Sequence, residues 1–247
     1  MNKNACIVLA LLALMMSSCA PLYVPSTRNA ALFRGAGEFQ GSVHIGTGLD
    51  AQAAVSVTDH VGVMGGYNHV SRNTNDNNDD DYIKHNSWEA AVGYYENTGK
   101  ICYEFFGGYG KGEGESNGDF FEVDNTYGTG TYSKIFIQPS VGSNNHVFNW
   151  IATARISHID FDRITYFDDN QSQPTITVKS PDPVIFIEPS FTGRVFFGKS
   201  PIYSQFQVGF SYATQGNPGF DYEPFNFSFG FGLRLGGQAK VVTTTDQ

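Results

Sequence analysis

The run Phe225-Asn226-Phe227-Ser228-Phe229-Gly230-Phe231-Gly232-Leu233-Arg234-Leu235 decides the fold. Every odd position is large and apolar and every even position is small or polar, the period of a strand whose two faces meet different surroundings. Its length matches the roughly 9–11 residues of a tilted strand crossing a bilayer, against the usual 5–6 in soluble sheets.

Working outward from that run, the same alternation recurs in nine earlier segments. The apolar positions are Phe39, Val43 and Ile45; Ala51, Ala53, Val55 and Val57; Val61, Val63 and Tyr67; then Trp88, Ala90, Val92 and Tyr94. They continue with Ile101, Tyr103, Phe105 and Tyr109; Ile135, Ile137, Pro139 and Val141; and Phe148, Trp150, Ala152, Ala154 and Ile156. Ile185, Ile187, Pro189, Phe191 and Val195, and finally Phe206, Val208, Phe210 and Tyr212, complete the set. The pattern predicts an all-β, up-and-down antiparallel barrel of about ten strands, with eight as the alternative count.

Connection lengths divide into two classes. After the second, fourth, sixth and eighth segments they are tight: Thr58-Asp59-His60, Glu96 to Lys100, Ser143-Asn144-Asn145, and Phe197 to Pro201. After the third, fifth, seventh and ninth they are long: Ser71 to Lys84, Lys111 to Gly130, Asp160 to Pro183, and Ala213 to Glu223. Short turns on one rim and long polar loops on the other is the plan of an outer-membrane barrel, with the turns periplasmic. The Gly46 to Asp50 turn after the first segment is the short exception.

Charges test the facing. Glu89, Glu104, Lys134, Arg155, Glu188, Arg194 and Arg234 all fall opposite the apolar face. On the lipid face an Arg or Lys costs about 2–4 kcal/mol near the midplane, so a membrane barrel demands this segregation. A soluble lipocalin-like barrel would segregate too, but with the apolar face inside, lining a ligand cavity. The charge-bearing face here is mostly Gly, Ser, Ala, Asn, Gln and Thr, unlike a solvated Lys/Glu-rich face. Buried charge requires partners, and Arg155 and Glu188, at similar heights on adjacent strands, are expected to pair inside the barrel. Tyr94, Tyr95, Tyr103, Phe196 and Phe197 read as the aromatic girdle of the short-turn rim. The strand glycines, including Gly62, Gly65, Gly66, Gly107, Gly108 and Gly110, relieve curvature. Gly107 to Gly112 lacks the spacing and following helix of a phosphate loop.

The amino terminus carries a second signal. Lys3, an apolar run from Ala5 to Met16, and Ser17-Ser18-Cys19 describe a secretory leader too short to span a bilayer. A cysteine just after small residues resembles the lipobox of bacterial lipoproteins, which implies acylation of Cys19 with palmitate-type chains. The expected organisation is a signal peptide over 1–18, a lipidated linker over 19–36, the barrel over 37–236 and a polar tail over 237–247. About eighteen irregular linker residues then join the lipid to the short-turn rim, in the periplasmic leaflet. Removal of the leader leaves Cys102 as the lone thiol beside Cys19, with no intramolecular disulfide. The formal charge of -9 without a basic cluster argues against nucleic acid.

Candidate chemistry is sparse. Aligning Asp76, Asn78 and Asp80 with a calcium loop puts Asp81 where glycine is required and Ser87 where the bidentate Glu belongs. His69, His85, His158, Asp160 and Asp162 gather near the long-loop rim, without a nucleophile or a ligand spacing on one face. No catalytic, cofactor or metal residue is assigned.

Several segments resemble a group of outer-membrane β-barrel proteins with lipoprotein signals found in Bacteroidota: Cys19 to Pro25, Gly37 to Gly41, Thr58 to Met64, Phe136 to Pro139, and Glu188-Pro189. The likeness implies the barrel fold and an outer-membrane location, and brings no activity. The expected protein is therefore a monomeric, lipid-modified outer-membrane barrel with long extracellular loops and a structural or surface-interaction role, its partner undefined. A lipid-anchored lipocalin-like binder of a small apolar ligand is the alternative, and an enzyme with a site at the extracellular rim the third.

Overall fold

The computed structural model describes residues 21–73, 81–120, 123–168, 175–198, 200–216 and 218–237. Cys19 and the leader, the Asp76 to Asp80 run and most of the tail lie outside the described residues. In chain order the strands are β1 (Phe39–Gly46), β2 (Leu49–Ser56), β3 (Val61–Asn73), β4 (Tyr82–Asn97), β5 (Ile101–Phe120) and β6 (Val123–Ser143). They continue as β7 (Phe148–Asp168), β8 (Thr175–Lys179), β9 (Val184–Phe196), β10 (Ile202–Phe210), β11 (Tyr212–Ala213) and β12 (Phe225–Leu235). Ten of them form a closed antiparallel barrel, and β8 and β11 are short additions on the long-loop side. Closure needs three contacts between strands that are not sequence neighbours: β12 on β1, from Phe39↔Leu235 to Gly46↔Ser228, β9 on β7 past β8, and β12 on β10 past β11.

The facing follows the alternation. Along β12 the Phe and Leu side chains point outward, Phe229 at 42 % exposure, while Asn226, Ser228 and Arg234 are buried in the lumen. All seven strand charges singled out above face inward. An apolar face turned out and a polar face turned in is the arrangement for a hydrocarbon solvent, and it is the reverse of the lipocalin-like alternative. Trp88 and Tyr109, in edge contact at 6.0 Å, and Tyr67 top the apolar belt; Tyr94 and Tyr103 lie outward near its lower edge. Tyr95 and Phe196, expected in that girdle, instead point into the lumen and are buried, because each falls on the inward register of its strand, with Glu89 and Ala91 in β4 and with Glu188 and Thr192 in β9.

Three of the connections expected as long loops change. Lys111 to Gly130 is a continuation of the β5–β6 hairpin, paired from Lys111↔Ser133 through Asn117↔Tyr127. The Ser71 to Lys84 and Asp160 to Pro183 connections are likewise partly ladder, with Asn73↔Tyr82 and Ile164↔Lys179 pairs. Above Tyr109 the outward face of β5 changes to Lys111, Glu113 and Glu115. The apolar alternation stops where the membrane stops, whereas the hydrogen-bond ladder runs on into water.

The larger difference concerns residues 21–36, expected as a linker outside the barrel. Pro21 to Phe33 are all buried, inside the lumen. At one end Leu22 N–H donates to the Asp221 carbonyl at 2.9 Å, on the long-loop rim. At the other, Arg34 Nε donates to Asn144 Oδ1 at 3.0 Å and Ala36 N–H to Asp59 at 3.2 Å, both in short turns. Gly37, in the left-handed region at φ 75°, then turns the chain back upward into β1.

Candidate functional site

The candidate site is the occupied lumen. A strand in a sheet satisfies its backbone through its neighbours, but the luminal segment lies against side chains, so its polar groups need other partners. The wall supplies amides, each able to donate and to accept. Gln52 donates to the Thr27 carbonyl at 2.6 Å, Gln138 to that of Asn29 at 2.7 Å, and Asn226 to that of Pro25 at 2.9 Å. Gln207 does both, accepting from Arg28 N–H at 2.7 Å and donating to the Arg28 carbonyl at 2.9 Å. Arg194 caps the Ala30 carbonyl at 3.1 Å and Gln40 that of Ala31 at 2.7 Å. Carboxylates take the amides: Asp50 accepts from Thr27 N–H, Glu104 from Leu32 N–H and Glu38 from Arg34 N–H.

Charge is matched at three levels. Nearest the long-loop rim, Glu188 accepts from Tyr23 Oη at 2.9 Å and Ser157 Oγ at 2.7 Å, with Arg28 Nη2 at 3.6 Å. In the middle, Glu89 takes both Nη1 and Nη2 of Arg155, at 2.9 and 2.8 Å, and Lys134 Nζ at 2.7 Å. Near the short turns Glu38 pairs with Arg234 at 3.1 Å. The expected pairing of Arg155 with Glu188 is thereby corrected. The two are register partners across β7 and β9 and both face the lumen. The bidentate geometry, however, goes to Glu89 across the barrel, and Glu188 is claimed by Arg28 of the luminal segment. Arg155 Nε completes its fork on Gln138, which fixes the guanidinium plane toward Glu89.

The wall also makes room. A Cβ at Gly114 would stand 2.1 Å from the Leu22 carbonyl oxygen, at Gly62 2.4 Å from the Phe33 ring, and at Gly142 2.4 Å from Leu32 Cδ1. These glycines mark the track of the segment rather than barrel curvature. Leu32 itself holds φ 47°, an uncommon conformation for a branched side chain. Its N–H bond to Glu104 and its burial with Ala30, Cys102 and Ile151 hold it there. Tyr23 packs with Tyr132, Phe161, Phe186 and Phe220 to close the lumen at the long-loop end. Beside that cap Arg72 pairs with Glu223, whose carboxyl burial pushes above its ordinary value while Arg72 draws it back.

The rim residues do not converge. His69 lies outside and meets Asn86 at 2.7 Å, His158 lies outside on β7, and His85 is buried inside between Asn68 and Tyr132. Asp162 is exposed and Asp160 half-buried. Among the described residues no three His, Cys, Asp or Glu side chains could hold a metal ion. A cleft of about 580 Å³ opens outside the barrel beside Tyr67, Trp88, Lys111, Glu113 and Asp162, at the upper edge of the apolar belt. The functional residues missed in the sequence are those of the luminal segment, Tyr23, Thr27 and Arg28 above all. The signal for them was the inward-facing glutamines Gln40, Gln52, Gln138, Gln205 and Gln207, more amide than a water-filled bore requires.

The chain is similar to two solved outer-membrane proteins of Vibrio cholerae. One is OmpT with its loop L8 deleted, 8% identical over 81% of this chain and 97% of that chain, with a TM-score of 0.21. The other is OmpT folded in vitro, 8% identical over 81% and 96%, with a TM-score of 0.20. At such scores the likeness carries no argument, and the fold assignment rests on the barrel's own pairing and facing. No family model and no curated protein matches the sequence.

Proposed function

We propose that this chain is an outer-membrane barrel with a structural or surface-interaction role, monomeric, acylated at Cys19, and neither a channel nor an enzyme. The observation that carries the reading is the filled lumen. Glu89, Glu188 and Glu38 are spent on internal cations, and the bore is threaded by the chain's own Pro21–Phe33. A conduit keeps its lining groups available to water and solute; here they are committed to the backbone of one peptide. What the molecule offers outward is the extended β5–β6 hairpin with Lys111, Glu113 and Glu115, a polar crown above the membrane belt. The resemblance to lipoprotein-signal barrels and the lipobox-like Ser17-Ser18-Cys19 support the lipid.

Planar-bilayer recording of the full chain tests the central point. Wild-type protein is expected to give no stable conductance steps, and a persistent open channel would overturn the reading. Metabolic labelling with an alkyne palmitate analogue tests the lipid: incorporation should disappear in Cys19→Ala.

A further inference from the structure

The luminal segment fixes the side of the barrel from which the chain upstream of Pro21 departs. Leu22 and Tyr23 N–H both reach the Asp221 carbonyl, and Tyr23 bridges Tyr222 in the connection before β12. Leu22 packs with Phe161, Ile164, Tyr166 and Phe220, all at the long-loop end. Arg34 and Ala36 touch the short turns at the opposite end. The direction of travel is therefore from the long-loop rim down to the short-turn rim. Cys19 precedes Pro21 by two residues, so covalent geometry keeps their Cα atoms within about 7 Å.

Resting on the acylation of Cys19 proposed above, we propose that its acyl chains enter the outer leaflet, at the cell surface, and that the barrel displays its own amino terminus through its lumen. This reverses the expectation that the lipid shares a leaflet with the short turns. The bore supports the assignment. Wall glycines stand where any Cβ would strike Leu22, Leu32 or Phe33, so the passage admits one peptide and no acyl chains beside it. A lipidated terminus on the outer side cannot be drawn back through a closed barrel. The seam that closes it, β1 on β12, begins two residues after Gly37, so the segment must be laid in place before that seam zips.

The test uses the full chain carrying a short epitope inserted between Ala20 and Pro21, with heat-modifiable gel migration to show that it folds. Antibody staining of intact cells is expected to equal staining after permeabilisation, while the same epitope in the Thr98–Lys100 turn should stain only after permeabilisation. The mass of the amino-terminal peptide from the same protein reports the acyl group. Staining confined to permeabilised cells, with the acyl mass present, overturns the topology and leaves the lipid. Staining of intact cells without that mass overturns the lipid placement and leaves the threading. If the insertion prevents folding, Ala20→Cys in a Cys102→Ser background, labelled on intact cells with an impermeant maleimide, gives the same decision.

Discussion

Strand β12 and the luminal segment Pro21–Phe33 lie against each other, touching where Asn226 donates to the Pro25 carbonyl and Arg234 to that of Ala31. Each runs the length of the barrel, yet they are held by opposite means. β12 is laddered to β1 and β10, so its backbone bonds survive almost any change of side chain. Among the described residues the luminal segment has backbone–backbone partners only at Leu22 and Tyr23 and otherwise depends on particular wall residues, so most of its bonds can be removed singly. The difference teaches that a chain can be fixed in a bore without joining the sheet, provided the wall offers donors and acceptors at the right heights. It also makes the lumen the part of the molecule most sensitive to point substitution.

The largest expected effect is therefore inside. Glu89→Ala leaves Arg155 and Lys134 buried without their carboxylate. Removing one partner of such a cluster costs about 3–5 kcal/mol. Urea unfolding in lipid vesicles should show a loss of that order. A change within about 1 kcal/mol would mean that the two cations find new partners or water, and that the lumen is looser than its hydrogen bonds imply.

The wall was legible in the sequence because hydrocarbon on one side and polar filling on the other impose a strict period of two. Phe225 to Leu235 announces both faces, and the inward placement of all seven strand charges follows. Strand ends were not legible, because the period fades once both faces are wet. Glu113 and Glu115 read as loop yet lie in a ladder. Least legible was Pro21 to Phe33. With Pro21 and Pro25 close together and no alternation, it has the look of a tether, and its structure is dictated by residues far along the chain, such as Gln207 and Glu188. The partner of Arg155 was missed for the same reason. Register predicts the neighbour across the ladder, whereas Arg155 reaches across the lumen to Glu89.

The lipid face gives the next effect in size. Phe229 lies midway along β12 and outward, and Phe229→Arg is expected to cost about 2–4 kcal/mol, with folding yield in vesicles reduced. An unchanged unfolding curve would place this face in water and break the membrane assignment. Smaller again is Gln207→Ala, which strips the Arg28 N–H and carbonyl of their partners and frees Thr192 Oγ1. A loss of about 1–3 kcal/mol is expected for leaving such groups unpaired, and the comparable truncation Ser204→Ala on the half-buried side of the same strand should cost less. Equal losses at the two positions would dissolve the contrast between laddered and side-chain-held chain.

The smallest effect belongs to the crown. Lys84 and Glu115 form a 3.3 Å pair on the extended β4–β5 hairpin, with side chains 52% and 36% exposed. Exposed pairs contribute about 0–1 kcal/mol because water screens them and two flexible side chains must be held still. The neighbouring backbone stays laddered whatever occupies position 84, from Lys84↔Glu115 to Tyr82↔Asn117. Lys84→Ala should therefore leave unfolding in urea unchanged within error. If it instead approached the cost of Glu89→Ala, the crown would be no solvated extension, and the boundary drawn at Trp88 and Tyr109 would have to move outward along β4 and β5.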